Sequence, residues 1–554
     1  MKKLIVLFVL SFVVISCEKD IKQNKKKLGD IVVEQIEVLP DSTDFREFLV
    51  LDSKYINSER VIYSVSDVLA DFTEDNYNSL KKLILDQDIP TIQGYIVSGK
   101  LTYESLTKFY LYRIKKYDRN NDLSLNSIIA LNPDAVEIAK QKDTDLKTNP
   151  KSIEDLKFSV YGMPILLKDN INAERMMTTA GAAALESNNV GDAFVVQRLK
   201  ANGAIILGKA NLSEWAYFFC GDCPSGYSAI GGQTLNPYGR RIFDTGGSSS
   251  GSGVSATANF AVAAIGSETA GSILSPASSN SAVGIKPTIG LLSRGGVVPI
   301  SSTLDTTGPI TKNVIDNAIV LSAMTGIDTK DKASFNNHTD GFNYTNNLDT
   351  NLEGKRFGAI KTLLQDTLYM NAINTLKELG AEIVEIEQEN VNLPEFSRFL
   401  TAEMKIDLPN YFQNYGDKSL DLKNAQDIVE SNKQDSLKTA PYGQRLFDGI
   451  VADSTTQEEL NTIREILRTN GRKFFDIPMD THNLDGVLSI NNFHAGFAAV
   501  ALYPALTVPM GYRSNGQPRG LTFVAKTAEE LKLLGWAKAY EDASKKRVSP
   551  KDYN

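Results

Sequence analysis

Apolar positions along this chain follow two spacings, one typical of helices and one typical of buried strands. From Thr102, apolar residues three and four positions apart predict a helix with one buried face. They are Leu106, Phe109, Tyr110, Ile114 and Tyr117. In the segment 195–207 a helical pattern ends at Gly203, and an uninterrupted apolar run at 204–207 follows. Such a run is typical of a strand that is covered on both faces.

The same order of helix, glycine and strand returns further along the chain. Helix-period residues at 372–379 end at Gly380, and a β-rich run continues to residue 386. Because each helix leads directly into a buried strand, the repeated order predicts an α/β architecture with helices on both sides of a sheet.

The chain divides into segments of different composition. We interpret residues 18–61 as a tether and N-terminal extension, because they are rich in charge and carry no catalytic pattern. Residues 62–546 are interpreted as the folded domain. Within it, the interval from about 395 to 475 has a largely helical pattern and predicts an insertion that borders a substrate cleft. Asn-rich sequence at 335–352 predicts a surface loop.

Composition excludes several classes of protein. The chain has 554 residues, 42% hydrophobic and 23% charged, which is enough material for a large folded core and unlike a collagen, a coiled coil or a disordered chain. A net charge of −8 argues against nucleic-acid binding, which usually needs a basic face. The three Cys and three His are scattered, so no zinc spacing occurs and no metal site is predicted.

The first 17 residues have the pattern of an export signal. Lys2 and Lys3 precede an uncharged stretch at 4–16 that is too short to span a bilayer comfortably. The stretch ends in Ser16-Cys17, which resembles a bacterial lipobox, where the cysteine is acylated and becomes the mature N-terminus. We therefore expect a lipid on Cys17 and a place in the cell envelope, at the outer membrane or the periplasmic face. The alternative is that Cys17 is a buried thiol of an apolar segment.

The most unusual chemistry lies in a Gly/Ser-rich run, DTGGSSSGSG, at 244–253. A flexible linker would have this composition, but the run lies between two segments with the pattern of a core. It also fits the nucleophile elbow G-x-S-x-G, with Ser249 as nucleophile and His482 or His494 as base. The preceding residues, 240–244, have the pattern of a poor central strand, which argues against the elbow.

Three separated motifs occur in an order that resembles the amidase signature family. They are G-x-P-x-x-x-K-D at 162–169, Gly-Gly-Ser-Ser at 246–249, and a serine in G-S-I at 271–273. That last serine, Ser272, comes 24 residues after Ser248, which is the family spacing.

The resemblance extends from about residue 68 to residue 523, and the segment 225–237 looks most like the peptide amidase branch. Glu268, Ala270 and Leu274 depart from the commonest family pattern, where aspartate, glycine and arginine are frequent. The resemblance implies a single large α/β domain with a mixed central β-sheet covered by helices on both faces.

The resemblance also implies a serine hydrolase with a Ser-Ser-Lys triad. Ser272 would attack the carbonyl, Lys168 would be the base, and Ser248, on a cis peptide bond, would bridge the two. Lysine accepts a proton only when it is neutral, and burial beside the apolar residues 165–167 would lower its pKa. The alternative is a surface lysine at the end of a strand.

The remaining site residues follow from the same resemblance. The oxyanion hole would consist of the backbone N–H groups of Thr269, Ala270, Gly271 and Ser272. Small residues at these positions leave room for the substrate to approach. Ser249 and Asp169 would support the site, and no metal or organic cofactor is implied.

A C-x-x-C pair, Cys220 and Cys223, lies near these motifs. In an exported protein we expect the pair to form a structural disulfide, and reduced packing residues are the alternative. A redox role would need a thioredoxin-like βαβ context, which the segment 215–227 does not show.

The predicted function is hydrolysis of a carboxamide, either a C-terminal peptide amide or an amino-acid amide, to an acid and ammonia through an acyl-enzyme. The alternatives are a catalytically silent surface binding lipoprotein and an esterase of the same fold. The glutamyl-tRNA amidotransferase subunit shares this signature, but it works in the cytoplasm, and the predicted export argues against that function. The expected partners are an amide substrate and the membrane, with no nucleic acid, and the sequence leaves the oligomeric state open.

Overall fold

The computed structural model describes residues 50–56, 58–119, 121–335, 342–346, 348 and 351–554. Cys17, the expected signal peptide and most of the expected tether therefore lie outside the described residues. Within the described part of the chain, no helix combines the length and the apolar character needed to cross a bilayer.

Most strands belong to one large sheet. The strands are β1 (Ile128–Leu131), β2 (Pro164–Lys168), β3 (Ile205–Ala210), β4 (Tyr227–Ser228), β5 (Gly232–Gln233), β6 (Ala263–Glu268), β7 (Val283–Lys286), β8 (Thr306–Thr311), β9 (Arg356–Ile360), β10 (Glu382–Ile386), β11 (Gly486–Ile490), β12 (Ala505–Tyr512) and β13 (Pro518–Val524). Across the described residues the large sheet has eleven strands in the order β1-β3-β2-β6-β8-β7-β12-β13-β11-β9-β10, and β4 pairs separately with β5.

The large sheet is mixed. β2 is parallel to both β3 and β6, β9 is parallel to both β10 and β11, and the remaining pairs are antiparallel. Every residue of β2, β3 and β6 is buried. Because successive side chains of a strand point to opposite faces, this burial requires cover on both faces of the sheet. The structure thus confirms the predicted single α/β domain with a mixed central sheet.

Helices supply that cover. The α-helices of the described chain are Ser58–Tyr63, Glu74–Ile84, Ile89–Val97, Tyr103–Tyr117, Ala135–Thr148, Ile153–Leu156, Phe194–Ala201, Ser250–Thr257, Leu274–Ser279, Val314–Met324, Thr367–Glu378, Phe396–Asn414, Ala425–Lys433, Ser436–Thr439, Arg445–Ala452, Gln457–His482, Ala495–Ala501 and Glu530–Ser544. Short 3₁₀ turns occupy Asp67–Leu69, Ala183–Leu185, Glu214–Tyr217, Lys361–Leu363 and Lys551–Tyr553.

The helix boundaries follow local rules. The helix Tyr103–Tyr117 begins at Thr102, whose Oγ1 accepts a hydrogen bond from the Ser105 N–H at 3.0 Å, as in a capping box. The helix Phe194–Ala201 ends before Gly203, which has a φ of +86°. Glycine adopts this left-handed conformation without strain, so the chain turns there and enters β3.

The Asn-rich segment at 335–352 has no helix or strand among its described residues, as predicted for a loop, but not all of these residues lie at the surface. Among its described residues, the side chains of Tyr344 and Leu352 are 1% and 0% exposed. Tyr344 packs edge-on against Phe342, with ring centroids 5.0 Å apart. The apolar members of the segment therefore join the core, although many of their neighbours in sequence are polar.

Both ends of the described chain pack against the domain. Leu51 is buried, and its carbonyl oxygen accepts a hydrogen bond from the Gln233 N–H at 2.8 Å. Tyr553 is 1% exposed, and its hydroxyl donates to the Leu123 carbonyl oxygen at 2.8 Å. Residues outside the interval 62–546 therefore belong to the folded body.

The interval predicted as a helical insertion contains five of the helices given above, beginning with Phe396–Asn414, and the last of them continues to His482. Buried apolar residues of this segment, such as Phe447, pack against Trp215 and Phe219, with ring centroids 5.0 and 5.4 Å apart. The helical segment is thus packed onto the chain that follows β3.

Candidate active site

Lys168 is the last residue of β2, and its side chain is fully buried. Its Nζ donates to Ser248 Oγ at 2.7 Å, to the Ser267 carbonyl oxygen at 3.0 Å and to Ser267 Oγ at 2.9 Å. Burial lowers the pKa of Lys168 to about 7, although the nearby carboxylates of Asp305 and Glu268 oppose the shift. A neutral lysine is therefore well populated near neutral pH.

Ser248 is held by its backbone as well as by Lys168. The Gly247–Ser248 peptide bond is cis, as the resemblance implies. The Ser248 carbonyl oxygen accepts a hydrogen bond from the Ser213 N–H at 3.0 Å. A Cβ added to Gly247 would lie 2.7 Å from Ser213 Oγ. This close approach explains why a glycine precedes the serine.

Ser272 lies between a left-handed glycine and a short helix. Gly271 has a φ of +104°, and the helix Leu274–Ser279 begins two residues after Ser272. The Ser272 carbonyl oxygen accepts a hydrogen bond from the Ser249 N–H at 3.2 Å, which joins the Gly/Ser run to this segment. The Ser272 side chain is only partly buried, whereas Ser248 is fully buried. Of these two serines, Ser272 is the more exposed.

Carboxylates form hydrogen bonds at the start of the segment predicted to form the oxyanion hole, residues 269–272, and just after its end. At its start, Thr269 Oγ1 donates to Asp305 Oδ1 at 2.6 Å. After its end, Glu268 Oε2 accepts hydrogen bonds from the N–H groups of residues 273–274, at 2.6 and 3.0 Å. These two N–H groups are therefore occupied, and the role of the preceding four stays a prediction.

Ser249, predicted to support the site, contacts Ser267. Ser249 Oγ donates to the Ser267 carbonyl oxygen at 3.0 Å and accepts from the Ser267 N–H at 3.2 Å. Ser267 Oγ also accepts hydrogen bonds from Lys168 and from Asn170 Nδ2, each at 2.9 Å. Sequence reasoning misses Ser267 and Asn170. The sequence signal for Ser267 is weak, because it is a single hydroxyl residue near the end of an apolar strand. The signal for Asn170 is only its position directly after the Lys-Asp pair.

Asp169, also predicted to support the site, pairs with Lys209 of the adjacent strand β3. Asp169 Oδ1 lies 3.2 Å from Lys209 Nζ, and both side chains are fully buried. Asp169 Oδ2 accepts a hydrogen bond from the Thr179 N–H at 3.1 Å. The carboxylate therefore compensates the charge of Lys209 next to Lys168.

The described histidines do not form a nucleophile elbow with Ser249. His494 Nδ1 lies 2.7 Å from Ser489 Oγ, and burial lowers the pKa of His494 to about 4. His482 is exposed at the end of the helix Gln457–His482. The structure therefore offers no histidine base at the Gly/Ser run in the part of the chain that it describes.

Cys220 and Cys223 form a disulfide, as expected for this pair, and both residues are buried. The disulfide loop lies against the helical segment, because the Phe219 carbonyl oxygen accepts a hydrogen bond from the Leu446 N–H at 2.9 Å. The disulfide thus lies where the chain after β3 packs against that segment.

Comparisons with known proteins find similar chains over most of this sequence. The family model described as Amidase matches residues 105–534. The chain is similar to a probable amidase of Arabidopsis thaliana, 36% identical over 489 residues that cover 84% of this chain and 92% of the relative. It is also similar to the solved structure of an amidase family protein from Bacillus anthracis, with 35% identity, a TM-score of 0.85 and coverage of 90% of this chain and 100% of that one. For the native peptide amidase of Stenotrophomonas maltophilia, the identity is 36%, the TM-score 0.78, and the coverage 84% and 98%.

Proposed function

This chain belongs to the amidase family and is an amidase, and from this premise we propose that it cleaves a linear carboxamide to an acid and ammonia with Lys168, Ser248 and Ser272. The observation that carries the proposal is the 2.7 Å hydrogen bond between Lys168 Nζ and Ser248 Oγ at a fully buried position. A buried lysine with a pKa near 7 accepts a proton at neutral pH, which an ordinary surface lysine does not.

The first half of the reaction forms an ester with the enzyme. Neutral Lys168 takes the proton of Ser248, and Ser248 takes the proton of Ser272. The Ser272 oxygen bonds to the carbonyl carbon, and the backbone N–H groups of residues 269–272 stabilise the resulting oxyanion. When the intermediate collapses, the C–N bond breaks, and the proton returns through Ser248 to the nitrogen, which leaves as ammonia.

The second half releases the acid. Water attacks the carbonyl carbon of the acyl-enzyme while its proton passes through Ser248 to Lys168. The bond between the acyl carbon and Ser272 Oγ then breaks, and Ser272 regains a proton. The same proton path serves both halves, so one lysine acts first as a base and then as an acid in each.

Labelling with a fluorophosphonate probe, followed by mass spectrometry, tests the assignment of the nucleophile. The adduct is expected on the peptide that contains Ser272, and Ser272→Ala is expected to abolish both the adduct and ammonia release. An adduct on Ser248 or Ser249 would overturn the mechanism. A folded protein with neither adduct nor ammonia release would be a catalytically silent binding protein.

A C-terminally amidated peptide or an amino-acid amide is the substrate class that we propose. The similarity to the peptide amidase of Stenotrophomonas maltophilia supports it. The test is a screen of amino-acid amides, amidated peptides and aryl amides for ammonia release, with the matching esters assayed for acid release. Turnover of esters alone would make the protein an esterase and contradict the proposal.

Anchoring in the cell envelope through a lipid on Cys17 is proposed from the sequence. Lys2, Lys3, the apolar stretch at 4–16 and Cys17 itself support it. Cys17→Ser is expected to abolish the incorporation of labelled fatty acid and to leave the protein soluble or uncleaved. Unchanged lipid labelling would contradict the proposal.

A further inference from the structure

Asp305 lies in a loop between the predicted oxyanion segment and the helical segment at 396–482. Its side chain is only 7% exposed. Oδ1 accepts a hydrogen bond from Thr269 Oγ1 at 2.6 Å. Oδ2 accepts hydrogen bonds from the N–H groups of Ile300 and Ser301, at 2.8 and 3.0 Å. One buried carboxylate therefore holds the start of the oxyanion segment and its own loop together.

The same loop, residues 300–305, is held from its other side by Glu403 of the helical segment. Glu403 is 2% exposed, and its Oε1 accepts a hydrogen bond from Thr303 Oγ1 at 2.6 Å. Arg464 pairs with Oε1 at 2.8 Å, and Ser301 Oγ donates to Oε2. A path of hydrogen bonds thus connects the helical segment to the oxyanion segment.

We propose that Asp305 is a positioning residue for amide hydrolysis, which orients the oxyanion segment through its hydrogen bond with Thr269. This inference rests on the proposed function. Thr269 lies three residues before Ser272, so its side chain sets where the intervening N–H groups point. Oxyanion donors act only when they are aligned with the charge that develops in the transition state, so loss of this anchor affects kcat more than KM.

The charge of Asp305 also affects the pKa of Lys168. The carboxylates of Asp305 and Glu268 both raise the pKa of Lys168 against the effect of burial. Burial raises the pKa of Asp305 itself to about 6. Removal of the Asp305 charge therefore lowers the pKa of Lys168 further, and the neutral lysine forms at lower pH. The other charged groups around Asp305 and its loop include Arg294 with its partner Asp331, Asp407, and Glu403 with its partner Arg464.

Two nearly isosteric variants separate the two effects. Thr269→Val removes the hydroxyl whose hydrogen bond lowers the pKa of Asp305, so the variant is compared with the native enzyme at pH 8 and above, where Asp305 is charged. It is expected to lower kcat there about 10-fold to 100-fold. Asp305→Asn keeps the size and removes the charge, and it is expected to lower kcat and to move the acidic limb of kcat/KM to lower pH by about half a unit or more.

Thr306→Val is the matched control. Thr306 is a buried residue next to Asp305, and its hydroxyl donates to the Thr307 carbonyl oxygen at 3.1 Å. This variant loses a buried hydroxyl without touching Thr269, and it is expected to keep kcat within about threefold. A loss in Thr306→Val as large as in Thr269→Val would show a general cost of hydroxyl removal and overturn the positioning role.

The rate of fluorophosphonate labelling at Ser272, measured against pH for each variant, gives a second readout that needs no substrate. Circular dichroism shows which variants are folded, and if Asp305→Asn does not fold, Thr269→Val decides alone. A native kcat and labelling rate in Thr269→Val would overturn the positioning role while the proposed function stands. Absence of labelling in the native protein would overturn both.

Discussion

The pH dependence of turnover follows directly from the position of Lys168. The lysine must lose its proton before it can act as a base, so the activity is expected to rise with pH as the neutral form appears. With a pKa of about 7, the neutral fraction is about 0.1 at pH 6, about 0.5 at pH 7 and about 0.9 at pH 8. Through Lys168 alone, kcat/KM should therefore fall about tenfold per pH unit below pH 6 and level off above pH 8. Protonation of Asp305, whose burial raises its pKa to about 6, adds a second titration to the acidic limb.

The size of the effect comes from burial. An ordinary lysine, with a pKa near 10.4, would be neutral in only about 0.04% of molecules at pH 7. Burial in β2 among uncharged acceptors thus increases the population of the base about a thousandfold at that pH. Lys168→Ala removes the base altogether, and a loss of about 10²-fold to 10⁴-fold or more in kcat is expected.

The assay is ammonia release from the best amide of the screen, in overlapping buffers from pH 5 to 9 at constant ionic strength. His494→Ala and His482→Ala are the controls, and each should keep the acidic limb and most of the activity. His494 cannot produce a limb near pH 7, because burial holds its pKa at about 4. An active Lys168→Ala enzyme, or a limb that disappears in either histidine variant, would refute the reasoning.

Three further predictions concern single positions. Ser248→Ala should abolish amide turnover but still permit slow fluorophosphonate labelling of Ser272, which mass spectrometry detects. Undiminished turnover in this variant would contradict a role of Ser248 in proton transfer. Ser267→Ala removes one hydrogen-bond acceptor of the buried Lys168 and should lower kcat for ammonia release about tenfold. An unchanged rate would exclude a supporting role for the Ser267 hydroxyl. Gly203→Ala should lower the free energy of unfolding in urea by about 1–3 kcal/mol, because φ is +86° and the new Cβ would lie 2.5 Å from Tyr161 Cδ2. Gly191→Ala, which has open space around its Cβ, is its control and should change stability by less than about 0.5 kcal/mol.

The elements that could be predicted from the sequence are those set by interactions between residues close together in the chain. The helix from Thr102 and the helix that stops before Gly203 follow from apolar spacing, a capping hydroxyl and a left-handed glycine, each of which acts within a few residues. The motif at 162–169 and the 24-residue spacing from Ser248 to Ser272 were enough to indicate the family, which the family match over residues 105–534 confirms.

Long-range contacts were decided only by the tertiary structure. Lys168 meets Ser248 and Ser267, which are 80 and 99 residues away, because β2 lies between β3 and β6 in the sheet. Nothing in the motif that contains Lys168 indicates that Ser267 accepts two of its hydrogen bonds or that Asp305 holds Thr269. Sequence patterns reflect the structural preferences of residues that are close together in the chain. The burial of Lys168, the compensation of its charge and its pKa depend instead on the order of the strands. That order decides which distant groups surround the lysine and exclude water from it.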